Sequence, residues 1–347
     1  YGLRTDYNKL ITDTKTYYES NDALFIELGD TYRLDEYKSN LNENTYNKTK
    51  KQIYSHINTY LKEVFNMVNE NDVIYIVSEF PSTLDYNNKR RLAPVIKFSD
   101  NKKGLLESAT TRRGGIIANL DLGVDILNEF GLKNEAMIGR ALSSIEKDDN
   151  IDFLSGEYKK IVSINNIRST VVNTFVGIVS TSWVIAMLAL LFKDKLPNKE
   201  KVFIVLKELI KLGLIMPLTL LLSPIFNFKS QLGLVSGVVI MTIILYLSGR
   251  ILFKNNDIKQ MGYYALLTIL LIVIDSVIGT YFMKNCIMSY DAIVGARYYG
   301  IGNEYEGVTI ASAVFALSVL LNYKKMPKWL TIVLSVIILI TSAFPSM

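Results

Sequence analysis

The sequence predicts an α/β doubly wound domain followed by an all-α polytopic transmembrane bundle, and three observations predict it. Hydropathy changes abruptly near Thr170, where a polar, mixed first half gives way to long apolar runs separated by short lysine-bearing loops. The runs at 170–192, 206–226, 232–253 and 261–282 each have about the roughly 20 residues a helix needs to cross the hydrocarbon core. Before the break, short β-branched runs alternate with helical periodicity, the pattern of a sheet covered by helices.

Composition narrows the class. The net charge of +5 falls in membrane-flanking loops rather than on one basic face, which excludes nucleic acid as the partner. Cys286 is the sole cysteine, so no internal disulfide is expected. The first residue is not Met, no signal peptide is visible, and the last apolar run stops abruptly. A piece of a longer membrane protein is therefore expected.

In the first domain, residues 1–165, a short helix is predicted over 6–19. The run 23–28 (ALFIEL), bounded by Gly29 and Asp30, predicts a buried strand of a parallel sheet. Residues 48–69 place Ile53, Ile57, Tyr60, Leu61, Val64, Phe65 and Val68 at three- and four-residue spacing, an amphipathic helix. Strands are predicted at 73–77 (VIYIV) and 94–98, and a helix at 121–130. In a doubly wound sheet ligands sit beyond the carboxyl ends of strands, which directs attention to loops 29–37, 78–91 and 110–119.

The second domain, residues 166–347, is predicted to hold about six helices, at approximately 170–192, 206–226, 232–253, 261–282, 307–323 and 329–347. Positive loops stay cytoplasmic. The first carries Lys193, Lys195, Lys199 and Lys201, the third Arg250, Lys254 and Lys259, and the fifth Lys324, Lys325 and Lys328. The second has only Lys229, and the fourth, 283–306, sets Lys284 and Arg297 against Asp291, Glu304 and Glu306. This alternation predicts a plasma-membrane protein with residues 1–165 and the 283–306 loop extracytoplasmic. A competing reading lays 206–226 in the interface, because Lys207, Glu208 and Lys211 sit near its start and Pro217 inside it. That reading inverts every later loop and destroys the alternation.

The segments LGDTYRLD (28–35), VSEFP (77–81), RRLAPVIKF (90–98) and NLDLGVDIL (119–127) stand in an order that resembles the C-terminal half of the alkaline phosphatase superfamily, especially its cofactor-independent phosphoglycerate mutase branch. The resemblance covers about residues 20–132. It implies a site for two metal ions held by Asp and His. Asp30 matches the first metal-binding Asp, but Leu34 stands where its His partner belongs. Glu79 and Phe80 replace the second Asp-His, and Arg90, Arg91 and Leu92 fall where a third His belongs. The one histidine, His56, lies mid-helix, where packing is its expected role. The resemblance therefore implies a degenerate, metal-free relative with no cofactor, leaving Asp30 and Glu79 as weak candidates for an oxygen-only site.

What replaces the metals is cationic. Thr110-Thr111-Arg112-Arg113-Gly114-Gly115 offers two guanidinium groups in a permissive loop, with Arg90 and Arg91 as further candidates for anion binding. Pairing of the arginines with Asp121 or Glu107, or with lipid head groups, is the plainer alternative.

In the membrane half, Asp275 falls inside the fourth apolar run, where a carboxylate needs a partner or water. The stretch 295–305 (GARYYGIGNEY) is dense in Gly, Tyr and charge. Its Arg297 and Asn303 are candidates for anion binding, and Asp275, Arg297 and Glu304 for catalysis. Paired with the Thr-Thr-Arg-Arg loop, this pattern resembles a group of uncharacterised multispanning bacterial membrane proteins. Gly233 and Gly237 form a G-x-x-x-G that fits close helix packing, within the bundle or between protomers of a homo-oligomer.

Three functions compete. In the first, a non-hydrolytic ectodomain binds an anionic envelope component, a phosphate-bearing glycan or lipid head group, with the bilayer as its other partner. In the second, an enzyme acts at the membrane on a lipid-linked phosphate-bearing substrate, with Glu304 or Asp275 as general base and Arg297 neutralising phosphate. In the third, a transporter uses Asp275 as ion carrier, without a clear inverted repeat to support it. The missing imidazoles favour the first and lean against an enzyme.

Overall fold

A computed structural model of the chain describes residues 2–99, 103–226, 231–288, 293, 298, 302–323, 327, 329, 332–333 and 335–336. The described residues fall into two units, Tyr1–Lys103 and Gly104–Met347.

The first unit is mainly helical. Helix α1 spans Tyr7–Tyr18 and is capped by Asp6, whose carboxylate accepts from the Lys9 amide at 3.1 Å. Helix α2 spans Asp30–Glu36. Helix α3 runs over Glu43–Met67, started by Asn42, which accepts from the Thr45 amide at 2.8 Å. Ile53 and Tyr60, two turns apart, are its buried residues. Tyr60 meets Thr14 of α1 at 2.9 Å. His56 is exposed on α3 with its ring 5.4 Å from that of Tyr7, a surface packing contact.

Strand β1 (Ile74–Val77) pairs antiparallel with β2 (Val95–Phe98), in the register Ile74 to Phe98, with the short helix α4 (Thr83–Asn87) in the connection. Residues 23–28 form no strand, and Phe25 is left 84% exposed.

The doubly wound parallel sheet expected from the sequence is thus corrected: the described strands make two separate two-stranded antiparallel sheets. A β-branched run specifies a strand but neither its neighbour nor its direction. The 78–94 connection is long enough for a parallel crossover, but its only helix is the short α4, where crossovers are usually built on a longer one, and β2 returns antiparallel.

In the second unit, β3 (Leu105–Ser108) pairs antiparallel with β4 (Leu142–Ile145), and helix α5 (Asn119–Glu129) lies between them in sequence. Helix α6 then runs unbroken over Asn150–Leu191, 42 residues or about 63 Å at 1.5 Å per residue. The division read at 165/166 falls inside it.

Helix α7 (Lys199–Leu221) is followed by a 3₁₀ turn at Ser223–Phe226, then α8 (Gln231–Phe253), α9 (Asp257–Ile278), the short α10 (Tyr281–Asn285) and α11 (Gly302–Tyr323). Among the described residues, four helices are long and apolar enough to cross a membrane: α6, α8, α9 and α11. Helix α7 has the length, but its first half is charged. Its second half packs against α6, α8 and α9 with Ile215, Leu218, Leu220 and Leu221 buried. The expected last span, 329–347, lies mostly outside the described residues.

The bundle core joins Ile167 of α6, Leu220 and Leu221 of α7, Leu234 and Val238 of α8, Ile272 of α9 and Tyr305 of α11. Gly237 is buried within this chain's own bundle, so packing inside the protomer accounts for it. A second cluster, Ala265, Ile269, Ala313 and Ala316, seals α9 against α11. There Gly262 leaves room for Val319, whose Cγ1 lies 2.8 Å from where a Cβ would stand.

Candidate functional site

The Thr110–Gly115 loop is stitched tightly onto β3. The Arg112 amide donates to the Ser108 carbonyl at 2.9 Å and the Gly115 amide to the Leu106 carbonyl at 2.8 Å. The Thr111 hydroxyl donates to the Ile116 carbonyl at 2.5 Å. Arg112 takes φ +52° and Gly115 φ +80°. A non-glycine residue in the left-handed region costs of order 1 kcal/mol or more, and such strain clusters at functional positions.

Asp121, fully buried, holds the loop to α5 and to the approach to β4. It accepts from the Thr110 hydroxyl at 2.6 Å and from the amides of Ala118 and Arg140 at 2.9 Å. Asp125, also buried, accepts from the Leu142 amide at 2.8 Å. Both carboxylates organise the scaffold beneath the arginines.

The loop meets the corner between α9 and α10, where Arg113 donates through Nη2 to the Lys284 carbonyl. Burial, together with the neighbouring guanidinium groups of Arg113 and Arg112, pulls the Lys284 ammonium below the ordinary lysine value, although Glu107 and Asp275 act the other way. Tyr298, from the 295–305 stretch, is drawn above the ordinary tyrosine value by burial and then by the charge of Asp121. Tyr298 is thus within electrostatic range of Asp121, which holds the Thr-Thr-Arg-Arg loop. Arg112, Arg113 and Lys284 form a cationic corner.

Asp275 has a structural occupation. It lies in the last turn of α9, not deep in the span, because the helix stops at Ile278 and Gly279 turns the chain with φ +118°. Its Oδ1 accepts from the Phe282 amide at 2.9 Å and its Oδ2 from the Met283 amide at 2.8 Å, so it caps α10. Both oxygens are engaged, which does not suit a general base.

Glu304, in the first turn of α11, pairs with Arg168 of α6 at 3.3 Å. The Nε of Arg168 is buried with no hydrogen-bond partner among the described residues. Asn303 is exposed beside Glu304. Arg297 lies outside the described residues.

The remaining candidates belong to the first unit. Arg90 pairs with Asp85 at 3.9 Å, and Arg91 stacks over the Tyr86 ring at 4.4 Å. Asp30 is buried. Burial would raise its carboxyl, but hydrogen bonds from Arg33, from the Thr5 amide and from Tyr7 outweigh it and hold the group below the ordinary aspartate value. Glu79 is exposed in the segment after β1. Among the described residues no three His, Cys, Asp or Glu side chains gather as metal ligands.

About 27 Å along α9 from Asp275, taking 18 residues at 1.5 Å, a second polar network closes the other end of the bundle. Lys211, 1% exposed, reaches Asp257 at 2.7 Å and Glu208 at 2.8 Å. Glu208 also accepts from Tyr246 at 2.7 Å, and Arg250 donates to Tyr246 at 2.8 Å.

Sequence reasoning missed Lys284 as a member of the corner and Arg168 as the partner of Glu304. Lys284 was visible only as one of the few cations in a mixed-charge loop. Nothing in the sequence connects it with Arg113, 171 positions away. Comparison of the chain with protein-family models, curated proteins and solved structures returns no match.

Proposed function

We propose that this is an integral membrane protein that binds a phosphate-bearing anionic component of the envelope at the corner formed by Arg112, Arg113 and Lys284, without hydrolysing it. The observation that carries the reading is the meeting of two arginines on a strained, tightly bonded loop with Lys284 of α10, just beyond the end of a membrane-length helix. Burial first, and then the charges of Arg113 and Arg112, hold the Lys284 ammonium below its ordinary value, although Glu107 and Asp275 act the other way. An arriving anion relieves the repulsion, and guanidinium groups bind phosphate oxygens bidentately without needing a metal.

The alternation of basic loops supports an extracytoplasmic, head-group-level position for this corner. The segment-order resemblance to phosphatases enters only as a reason to expect phosphate rather than carboxylate on the ligand. Asp275, with both oxygens taken by backbone amides, weighs against general-base chemistry there.

The test is a thermal-shift titration of the purified full chain with inorganic phosphate and glycerol 3-phosphate, against the R112A/R113A variant and a control R90A/R91A variant. The reading expects stabilisation in the wild type and the control, and at least a tenfold weaker response in R112A/R113A. Equal responses from all three would overturn it.

A further inference from the structure

The loop between α6 and α7 borders a second candidate site, at the end of the bundle away from the cationic corner. An open groove of about 490 Å³ is lined by Lys193, Lys199, Glu200, Phe203, Ile204 and Lys207. Pockets that hold small ligands fall in this range. The lining is two-natured: three ammonium groups and one carboxylate stand beside an aromatic and an aliphatic side chain.

Lys193 and Lys199 make no ion pair among the described residues, while Lys207 reaches Asp257 at 3.4 Å. The lysines outnumber the carboxylate, so the lining is net cationic. The site sits where the apolar stretch of α6 ends, directly after Leu191 and Phe192, which are 69% and 53% exposed. The apolar side chains just before the pocket are therefore those that face lipid tails when α6 spans the bilayer.

We infer that this pocket is a binding site for an anionic phospholipid, with Lys193 and Lys199 on its phosphate and Phe203 and Ile204 against the start of its acyl chains. The charge complementarity and the position at the end of a spanning helix both fit that occupant, since basic pockets between spans bind acidic head groups. A soluble anion would use the lysines but leave the apolar wall without a role. Glu200 lies in the first turn of α7, where the helix dipole favours it, and the three lysines still leave the lining net cationic. The inference is independent of the outer corner, because no lining residue belongs to that site.

The full chain would be reconstituted in nanodiscs of phosphatidylcholine alone or of phosphatidylcholine with phosphatidylglycerol. Thermal stability would be read together with retained lipid by native mass spectrometry. The inference expects phosphatidylglycerol to stabilise the wild type by several degrees and to be retained in preference to phosphatidylcholine. K193Q/K199Q should lose at least half of that shift, while K193R/K199R and K195Q/K201Q keep it. An unchanged phosphatidylglycerol shift in K193Q/K199Q would overturn the site. So would a stabilisation by inorganic phosphate in phosphatidylcholine discs that disappears in K193Q/K199Q, which reassigns the pocket to a soluble anion. All four lysines substituted here are surface residues, so similar stability of the variants in phosphatidylcholine confirms that they fold.

Discussion

Two polar clusters at opposite ends of the helix bundle hold charge in different ways. In the Lys211 network, Lys211 sits between Glu208 and Asp257, Lys207 on Asp257, and Arg250 on Tyr246 and near Glu208 at 3.9 Å. At the other end, Arg112, Arg113 and Lys284 gather, and the net effect on Lys284 disfavours its charge. The Lys211 network is held by its own carboxylates and ties the helices together. At the corner, burial and the charges of Arg113 and Arg112 act against the Lys284 charge despite Glu107 and Asp275, and an anion there would favour it, which is why the corner carries the functional proposal.

The comparison breaks most sharply at Lys211. Removing one member of a buried ion network leaves the others uncompensated at about 3–5 kcal/mol, so Lys211→Met should lower thermal stability by far more than any change at the opposite end. A loss under about 1 kcal/mol would show that the network is solvated and not structural.

The next effect in size is at Gly249, behind the same network. A Cβ there would stand 2.2 Å from the Oη of Tyr264, which is fully buried and donates to the Tyr246 carbonyl at 3.0 Å. Gly249→Ala should therefore cost about 1–3 kcal/mol by overpacking, read as a lowered melting temperature in detergent.

Lys284→Gln should act in the other direction, raising the melting temperature by about 1–3 °C at neutral pH while weakening phosphate binding. The sign follows from linkage. Lys284 sits below its ordinary value of 10.5 in the folded chain, so the folded state resists its protonation. Between the lowered value and the ordinary one the unfolded chain binds more protons, and wild-type stability rises with pH. The advantage of the variant is thus full at neutral pH and fades as pH climbs towards 10.5. A constant advantage across that range would mean that charge is not its cause.

Much of the helical architecture is legible in the sequence. Periodicity places α1, α3 and α5 within a few residues of their bounds, and apolar runs mark α6, α8, α9 and α11. Where it misleads, the physical reasons differ. Helix α3 starts at Glu43 rather than Lys48 because its first turns are polar and carry no apolar stripe; only the Asn42 cap marks them. Strands β3 and β4 are four residues each, with serines on both, and escape any pattern. The run at 23–28 has a strand's composition but no partner strand.

The site was half readable. The Thr-Thr-Arg-Arg-Gly-Gly loop shows itself by composition, whereas its meeting with Lys284 is a tertiary contact. Asp275 looked deep in a span because Tyr281–Asn285 continues the apolar run past a helix break that only Gly279 marks.

The claim that the cationic corner binds an anion is tested most directly by titrating Lys284 itself. Reductive ¹³C-methylation of the lysines, with Lys284→Gln for assignment, allows its protonation to be followed by NMR with and without inorganic phosphate. The account predicts a titration below the ordinary lysine value that moves upward when phosphate is added. An ordinary titration indifferent to phosphate would contradict it.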